Sequence, residues 1–63
     1  MYNKGDTVKL KRQFTNAEEL HPGDICMIYR DEGLGCYILK SKKGTLFAAK
    51  ESEIEPLGED GSL

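Results

Sequence analysis

Hydrophobic and polar positions alternate most clearly at two places in the chain. Val8 and Leu10 are flanked by Lys9 and Lys11 within Gly5 to Arg12, the period of two that marks a half-buried strand. The second place is Pro22 to Ala49, which reads as three antiparallel strands, Ile25–Arg30, Tyr37–Leu39 and Thr45–Ala49. Asp31-Glu32-Gly33-Leu34-Gly35 and Ser41-Lys42-Lys43-Gly44 separate these strands and supply the glycines of two tight reversals. The expected inner face carries Ile25, Ile28, Tyr37, Leu39 and Phe47. Ile25 and Ile28 are three apart, which calls for a bulge near Cys26 or Met27. In the last of the three strands Leu46 and Ala48 compete with Phe47 and Ala49 for the inward positions.

Between the first strand and the meander, Phe14 continues the apolar face as an anchor. Thr15 followed by Glu18 fits a capping box, so one helical turn is expected before Pro22 and Gly23, with Leu20 pinned to the core. After the meander, Ser52, Ile54 and Leu57 suit a 3₁₀ turn and a short last strand. Ile54 is its core residue, and Pro56, which lacks an N–H, restricts it to an edge. Residues 1–57 thus form a single domain, and 58–63 read as an acidic, glycine-containing tail expected to be disordered.

This order of elements implies an all-β fold, a small bent barrel of about five short antiparallel strands with a 3₁₀ turn before the last. Gly5-Asp6-x-Val8-x-Leu10, His21-Pro22-Gly23-Asp24-Ile25, Tyr37-x-Leu39 and Glu53-Ile54-Glu55-Pro56-Leu57 resemble the SH3-like small barrels of bacteria and phages, over about residues 5–57. Where such barrels usually carry Gly-Thr-Val, this chain has Cys26-Met27-Ile28. The resemblance implies a noncatalytic scaffold or binding module, and its motifs mark turns and core positions rather than a site.

Size and chemistry narrow the functional classes. A chain of 63 residues buries only ~60% of its unfolded surface, which leaves little room for a deep catalytic cleft. His21 and scattered serines supply no nucleophile, base and orienting group, and the carboxylate pairs Glu18-Glu19, Asp31-Glu32 and Glu59-Asp60 fall in loops and tail. His21, Cys26 and Cys36 lack metal-ligand spacing, so neither a metal nor a cofactor is expected. With the hairpin centred near Gly33, Cys36 would face Arg30 and Cys26 would face Lys40. That spacing places the thiols ~13 Å apart, beyond the ~7 Å that a disulfide spans between Cα atoms.

No apolar run approaches the ~20 residues of a membrane helix. Met1-Tyr2-Asn3-Lys4-Gly5 runs into a strand rather than an apolar leader, so a cytoplasmic monomer is expected. Lys9, Lys11 and Arg12 on the outer side of the first strand, with Lys42, Lys43 and an outward Tyr29, make a weak nucleic-acid-binding barrel the alternative reading. The net charge of −2 opposes it. A proline-rich ligand is disfavoured because the chain has no tryptophan to line a groove. A protein-interaction or accessory module is what remains, and no motif identifies its partner.

Overall fold

A computed structural model describes residues 2–15 and 18–57. Five strands, β1 (Thr7–Leu10), β2 (Ile25–Gly33), β3 (Cys36–Lys40), β4 (Leu46–Lys50) and β5 (Ile54–Pro56), pair antiparallel in the order β4-β3-β2-β1-β5. The chain is all-β, with one 3₁₀ turn at Glu51–Glu53 leading into β5. The sheet is open, since β4 and β5 are its outer strands and do not pair with each other.

One face carries the core. Val8, Leu10, Cys26, Ile28, Tyr37, Leu39, Phe47, Ala49 and Ile54 form a single buried cluster to which all five strands contribute. The loop between β1 and β2 covers this face. Phe14 and Leu20 exchange two backbone hydrogen bonds, of 2.9 and 2.8 Å, and the Phe14 ring packs on Phe47 with centroids 5.2 Å apart. The Arg12 guanidinium lies 4.1 Å above the same ring, where its charge meets the negative π face. At the other side of the core Tyr2 and Tyr37 meet edge to face at 5.5 Å, and the Tyr37 hydroxyl accepts the Tyr2 N–H at 3.3 Å.

β2 departs from the sequence reading in three respects. Cys26 rather than Ile25 shares the inner face with Ile28, so β2 alternates regularly up to Ile28 and needs no bulge at Cys26 or Met27. A thiol behaves as a small apolar group, which suits it to that buried place. The register shifts come later, between Ile28 and Arg30 and between Asp31 and Gly33, leaving Tyr29 and Glu32 as extra residues. Pairing therefore runs on to Gly33 opposite Cys36, where Arg30 had been expected, and the loop shrinks to Leu34-Gly35. Lys40 pairs with Met27 rather than Cys26. Both thiols are free, Cys26 buried and Cys36 half-buried, at opposite ends of the hairpin.

The remaining elements are tighter than the pattern suggested. β1 covers Thr7–Leu10 and β4 starts at Leu46, with Phe47 and Ala49 inward and Leu46 and Ala48 outward. The helical turn expected at 15–20 falls partly on residues 16 and 17, outside the described residues. Leu20 is instead held by its bridge to Phe14. The acidic tail lies outside them too. β5 sits at the sheet edge beside β1, with Ile54 buried opposite Leu10 and Pro56 opposite Val8.

The core assignment is measurable. Leu39→Ala and Ile54→Ala, at 0% and 3% exposure, are each expected to cost roughly 2–5 kcal/mol in urea unfolding. Leu46→Ala, which stands outward, should stay within about 0.5 kcal/mol of the parent. Equal losses at Leu39 and Leu46 would contradict the assignment of faces.

Candidate functional site

The opposite face of the sheet, which none of the described residues covers, carries apolar groups as well. Thr7, Met27, Lys40 and Leu46 are consecutive register partners across β1 to β4, and Arg30, Ile38 and Ala48 form the next row across β2 to β4. Tyr29, the extra residue of the first bulge, stands beside these rows. Met27 and Tyr29 are each 39% exposed and Leu46 46%. Cys36 and Lys50 make the last row. The face thus presents Met27, Tyr29, Ile38, Leu46 and Ala48 to the outside among the cations Arg30, Lys40 and Lys50. Arg30 donates a hydrogen bond to the Glu32 carboxylate.

At its β3–β4 end this face deepens into a cleft of about 470 Å³ lined by Thr7, Ile25, Cys26, Met27, Lys40, Ser41, Lys42, Lys43 and Gly44. Lys42 and Lys43 also line a neighbouring cleft of about 300 Å³ with Glu18, Glu19, Leu20, Gly23, Asp24 and Ile25. The two lysines therefore divide an apolar cleft from an acidic one.

Ser41 fixes this turn. It is the one buried polar residue among those described, and its hydroxyl accepts the N–H groups of Lys43 at 3.2 Å and Thr45 at 3.1 Å while donating to Glu18 Oε1 at 2.9 Å. Backbone bonds from Ser41 N–H to the Thr45 carbonyl (2.8 Å) and from Gly44 N–H to the Ser41 carbonyl (2.9 Å) close the turn around it. All the bonding capacity of the hydroxyl is used, so the turn carrying Lys42 and Lys43 is preorganised. Serine at the start of a glycine-closed polar run was the sequence signal for such a side-chain turn.

The Thr45 hydroxyl first, then the Ser41 hydroxyl and the Lys43 charge, hold the Glu18 carboxyl below its ordinary 4.5, against the opposing effects of partial desolvation and Asp24. Burial, above all, pushes the Cys26 thiol up, with Asp24 and Glu18 adding to it, so Cys26 is held as the unreactive thiol.

The six residues of the nucleic-acid reading do not come together as one stripe. The Lys9 ammonium lies 3.9 Å from Glu55, and the Arg12 guanidinium 3.1 Å from Glu53. The Lys11 N–H donates to the Glu53 carbonyl at 2.9 Å, which keeps its main chain on the β5 side. Lys42 and Lys43 stand at the β3–β4 turn, and Tyr29 lies further along β2. The sequence reading missed Met27, Ile38, Leu46 and Ala48. Their signal was the ambiguity at β4, where both alternating sets are apolar. The exposed His21 ring approaches Glu19 at 3.8 Å, and the main-chain N–H of His21 donates to Asp24 Oδ2 at 2.9 Å. Among the described residues no helix is long and apolar enough to cross a membrane, and no three His, Cys, Asp or Glu side chains are placed to share a metal ion.

Two measurements test this account of the turn. Ser41→Ala leaves two N–H groups without their acceptor and Glu18 with the Thr45 hydroxyl alone, so a loss of roughly 1–3 kcal/mol is expected, with faster amide exchange at Lys43 and Thr45. Unchanged exchange there would dismiss Ser41 as the organiser. A carboxyl lowered on folding adds stability that is complete above its ordinary 4.5 and is lost as the pH falls through the lowered value. Glu18→Gln should therefore flatten the acid limb of the stability curve below about pH 4.5 and leave its shape near neutrality unchanged. An acid limb identical to the parent's would exclude this contribution. Compared with known proteins, the chain matches no family model, no curated protein and no solved structure.

Proposed function

We propose that the chain is a noncatalytic SH3-like small-barrel module that binds a protein partner on the outer face of β2, β3 and β4. The strand order, the long loop between β1 and β2 and the 3₁₀ turn before β5 support the fold reading. The observation that carries the function is the outer face itself. Met27, Tyr29, Leu46 and Ala48 are apolar or aromatic groups left exposed on one face, Tyr29 at a bulge and Lys40 between Met27 and Leu46, with Ile38 half-buried among them. A face that served solubility alone would alternate to polar residues at these positions. Methionine and tyrosine also suit protein contacts, the first by adaptable packing and the second by joining an apolar body to a polar tip.

The rim selects the chemistry of the partner. Lys40 stands between Met27 and Leu46, and Lys42, Lys43 and Lys50 flank the apolar groups, so a partner that presents apolar side chains interspersed with carboxylates is the complement. Nucleic acid fits less well, since Lys9 and Arg12 already face Glu55 and Glu53, and Glu18, Glu19 and Asp24 line the cleft beside Lys42 and Lys43. The role fits an accessory or regulatory factor rather than an enzyme.

The test is capture from an extract of the source cell by the tagged chain, beside titration with single- and double-stranded DNA and RNA. Met27→Asp with Leu46→Asp should abolish capture of a discrete protein while the melting midpoint is kept. Nucleic-acid binding tighter than ~1 μM at moderate salt, lost with Lys42→Ala and Lys43→Ala, would overturn the assignment.

A further inference from the structure

The tip of the β2–β3 hairpin is built around a residue that its turn does not favour. Gly33 pairs with Cys36, so Leu34 and Gly35 are the two central residues, and both have positive φ, 55° and 77°. That is a type I′ turn, whose first central position ordinarily holds asparagine, aspartate or glycine. Leu34 is a non-glycine residue in the left-handed region, and its side chain is 103% exposed. It therefore strains the backbone without burying anything in its own chain, and backbone outliers of this kind cluster at functional sites such as ligand clamps and switch regions.

The surroundings of Leu34 define what it fits. Asp31 Oδ1 accepts the Gly33 N–H at 2.8 Å, and Glu32, which pairs with Arg30, lies beside it, so the apolar tip is flanked by two carboxylates and one guanidinium, net negative. The complement is an apolar socket with a cationic rim. Such a socket lies at the opposite end of the same ribbon, the cleft of about 470 Å³ with Ile25 and Met27 in its wall and Lys40, Lys42 and Lys43 around it. Met27 and Gly33 are six residues apart on one strand, ~20 Å at ~3.3 Å per residue, so the tip cannot reach the cleft of its own chain.

We propose that the hairpin tip of one copy of this chain docks in the lysine-rimmed cleft of a second copy. Leu34 packs against Ile25 and Met27, and Asp31 and Glu32 face Lys42 and Lys43. The inference rests on the reading of the outer face as an interaction surface and names an occupant for its deepest part, in place of the monomer expected from the sequence. The contact is head to tail, because a copy whose tip is engaged still offers its own cleft, so association continues beyond a dimer. Two residues' worth of hairpin bury a small area, which places the contact among weak, transient ones.

The full chain is examined by sedimentation equilibrium and by ¹H–¹⁵N spectra from about 50 μM to about 1 mM, where a contact of this size is populated. The expected result is an average mass that rises with concentration past that of two copies, with shifts confined to residues 31–35, Ile25, Met27 and Lys40 to Gly44. Leu34→Asn suits the turn, so it should raise the melting midpoint by roughly 4–8 °C while holding the mass at one copy. Glu32→Lys, and separately Lys42→Glu with Lys43→Glu, should each remain single alone and associate when mixed. A parent mass constant up to about 1 mM, a Leu34→Asn chain that associates as the parent does, or charge-exchanged chains that ignore each other would each overturn the proposal. A single-copy parent that still captures a partner through Met27 and Leu46 overturns self-docking alone. Capture indifferent to Met27 and Leu46 overturns the interaction surface itself and, with it, this inference.

Discussion

A single sheet has two faces, and a chain this short can cover only one of them. Everything described residues contribute to the core lies on the side where Val8, Leu10, Cys26, Ile28, Tyr37, Leu39, Phe47, Ala49 and Ile54 meet, and the β1–β2 loop places Phe14 and Leu20 there as well. The other face of β2, β3 and β4 receives no covering element among the described residues, yet it keeps Met27, Tyr29, Ile38, Leu46 and Ala48. Leaving such side chains in water gives up the free energy their burial would provide, about 25 cal/mol for each Å² of apolar surface. The proposed function follows from that imbalance, since a partner would supply the cover that the described residues do not.

The cleft at the end of this face depends on a small polar device rather than on hydrophobic packing. A buried hydroxyl with one acceptor and two donors around it ties the β3–β4 turn to Glu18 of the long loop. Both clefts share the lysines that this turn carries, so the geometry of the apolar one is linked to the charge state of the acidic one. Protonating Glu18 would remove the counter-charge beside Lys43, strengthening the positive rim at the same moment as the turn loosens. The two effects oppose each other for an acidic partner, and near neutral pH Glu18 remains ionised, which favours the rigid turn.

Much of the fold was legible because its signals are local. The alternation at Val8 and Leu10, the glycines closing both reversals and Ile54 before Pro56 each specify a neighbourhood of a few residues, and the strands stand where those residues put them. The positions of the bulges were not legible. Whether Ile25 or Cys26 turns inward is a contest between side chains of similar apolar character, decided by what the opposite strands offer; the one bulge expected near Cys26 or Met27 is absent, and two irregularities fall at Tyr29 and Glu32 instead. The candidate site was hidden for a related reason. Leu46 and Ala48 competed with Phe47 and Ala49 on paper because both sets are apolar, and only the three-dimensional register shows that each set has a face of its own. Leu34 gave no signal at all, since a leucine within an acidic, glycine-containing loop carries no mark of its backbone angle.

The open sheet also has two edges at which a partner strand could add, and their details turn association toward the face. β5 is three residues long, and Pro56 has no N–H to offer. On β4, Ser41 N–H donates to the Thr45 carbonyl and Glu51 N–H to the Gly35 carbonyl, so the ladder with β3 uses the odd-numbered residues. Leu46, Ala48 and Lys50 direct their backbone groups to the open edge. Of these, the Lys50 N–H is taken by Glu53 Oε1 at 2.9 Å as the chain enters the 3₁₀ turn. The remaining outward N–H groups of β4, those of Leu46 and Ala48, make a template too short to specify a register, and a lysine at its end opposes a second strand by charge and bulk. Edge pairing is thus limited on both sides by the same residues that finish the sheet. The interaction surface proposed on the outer face of β2 to β4 is therefore one that needs no added strand.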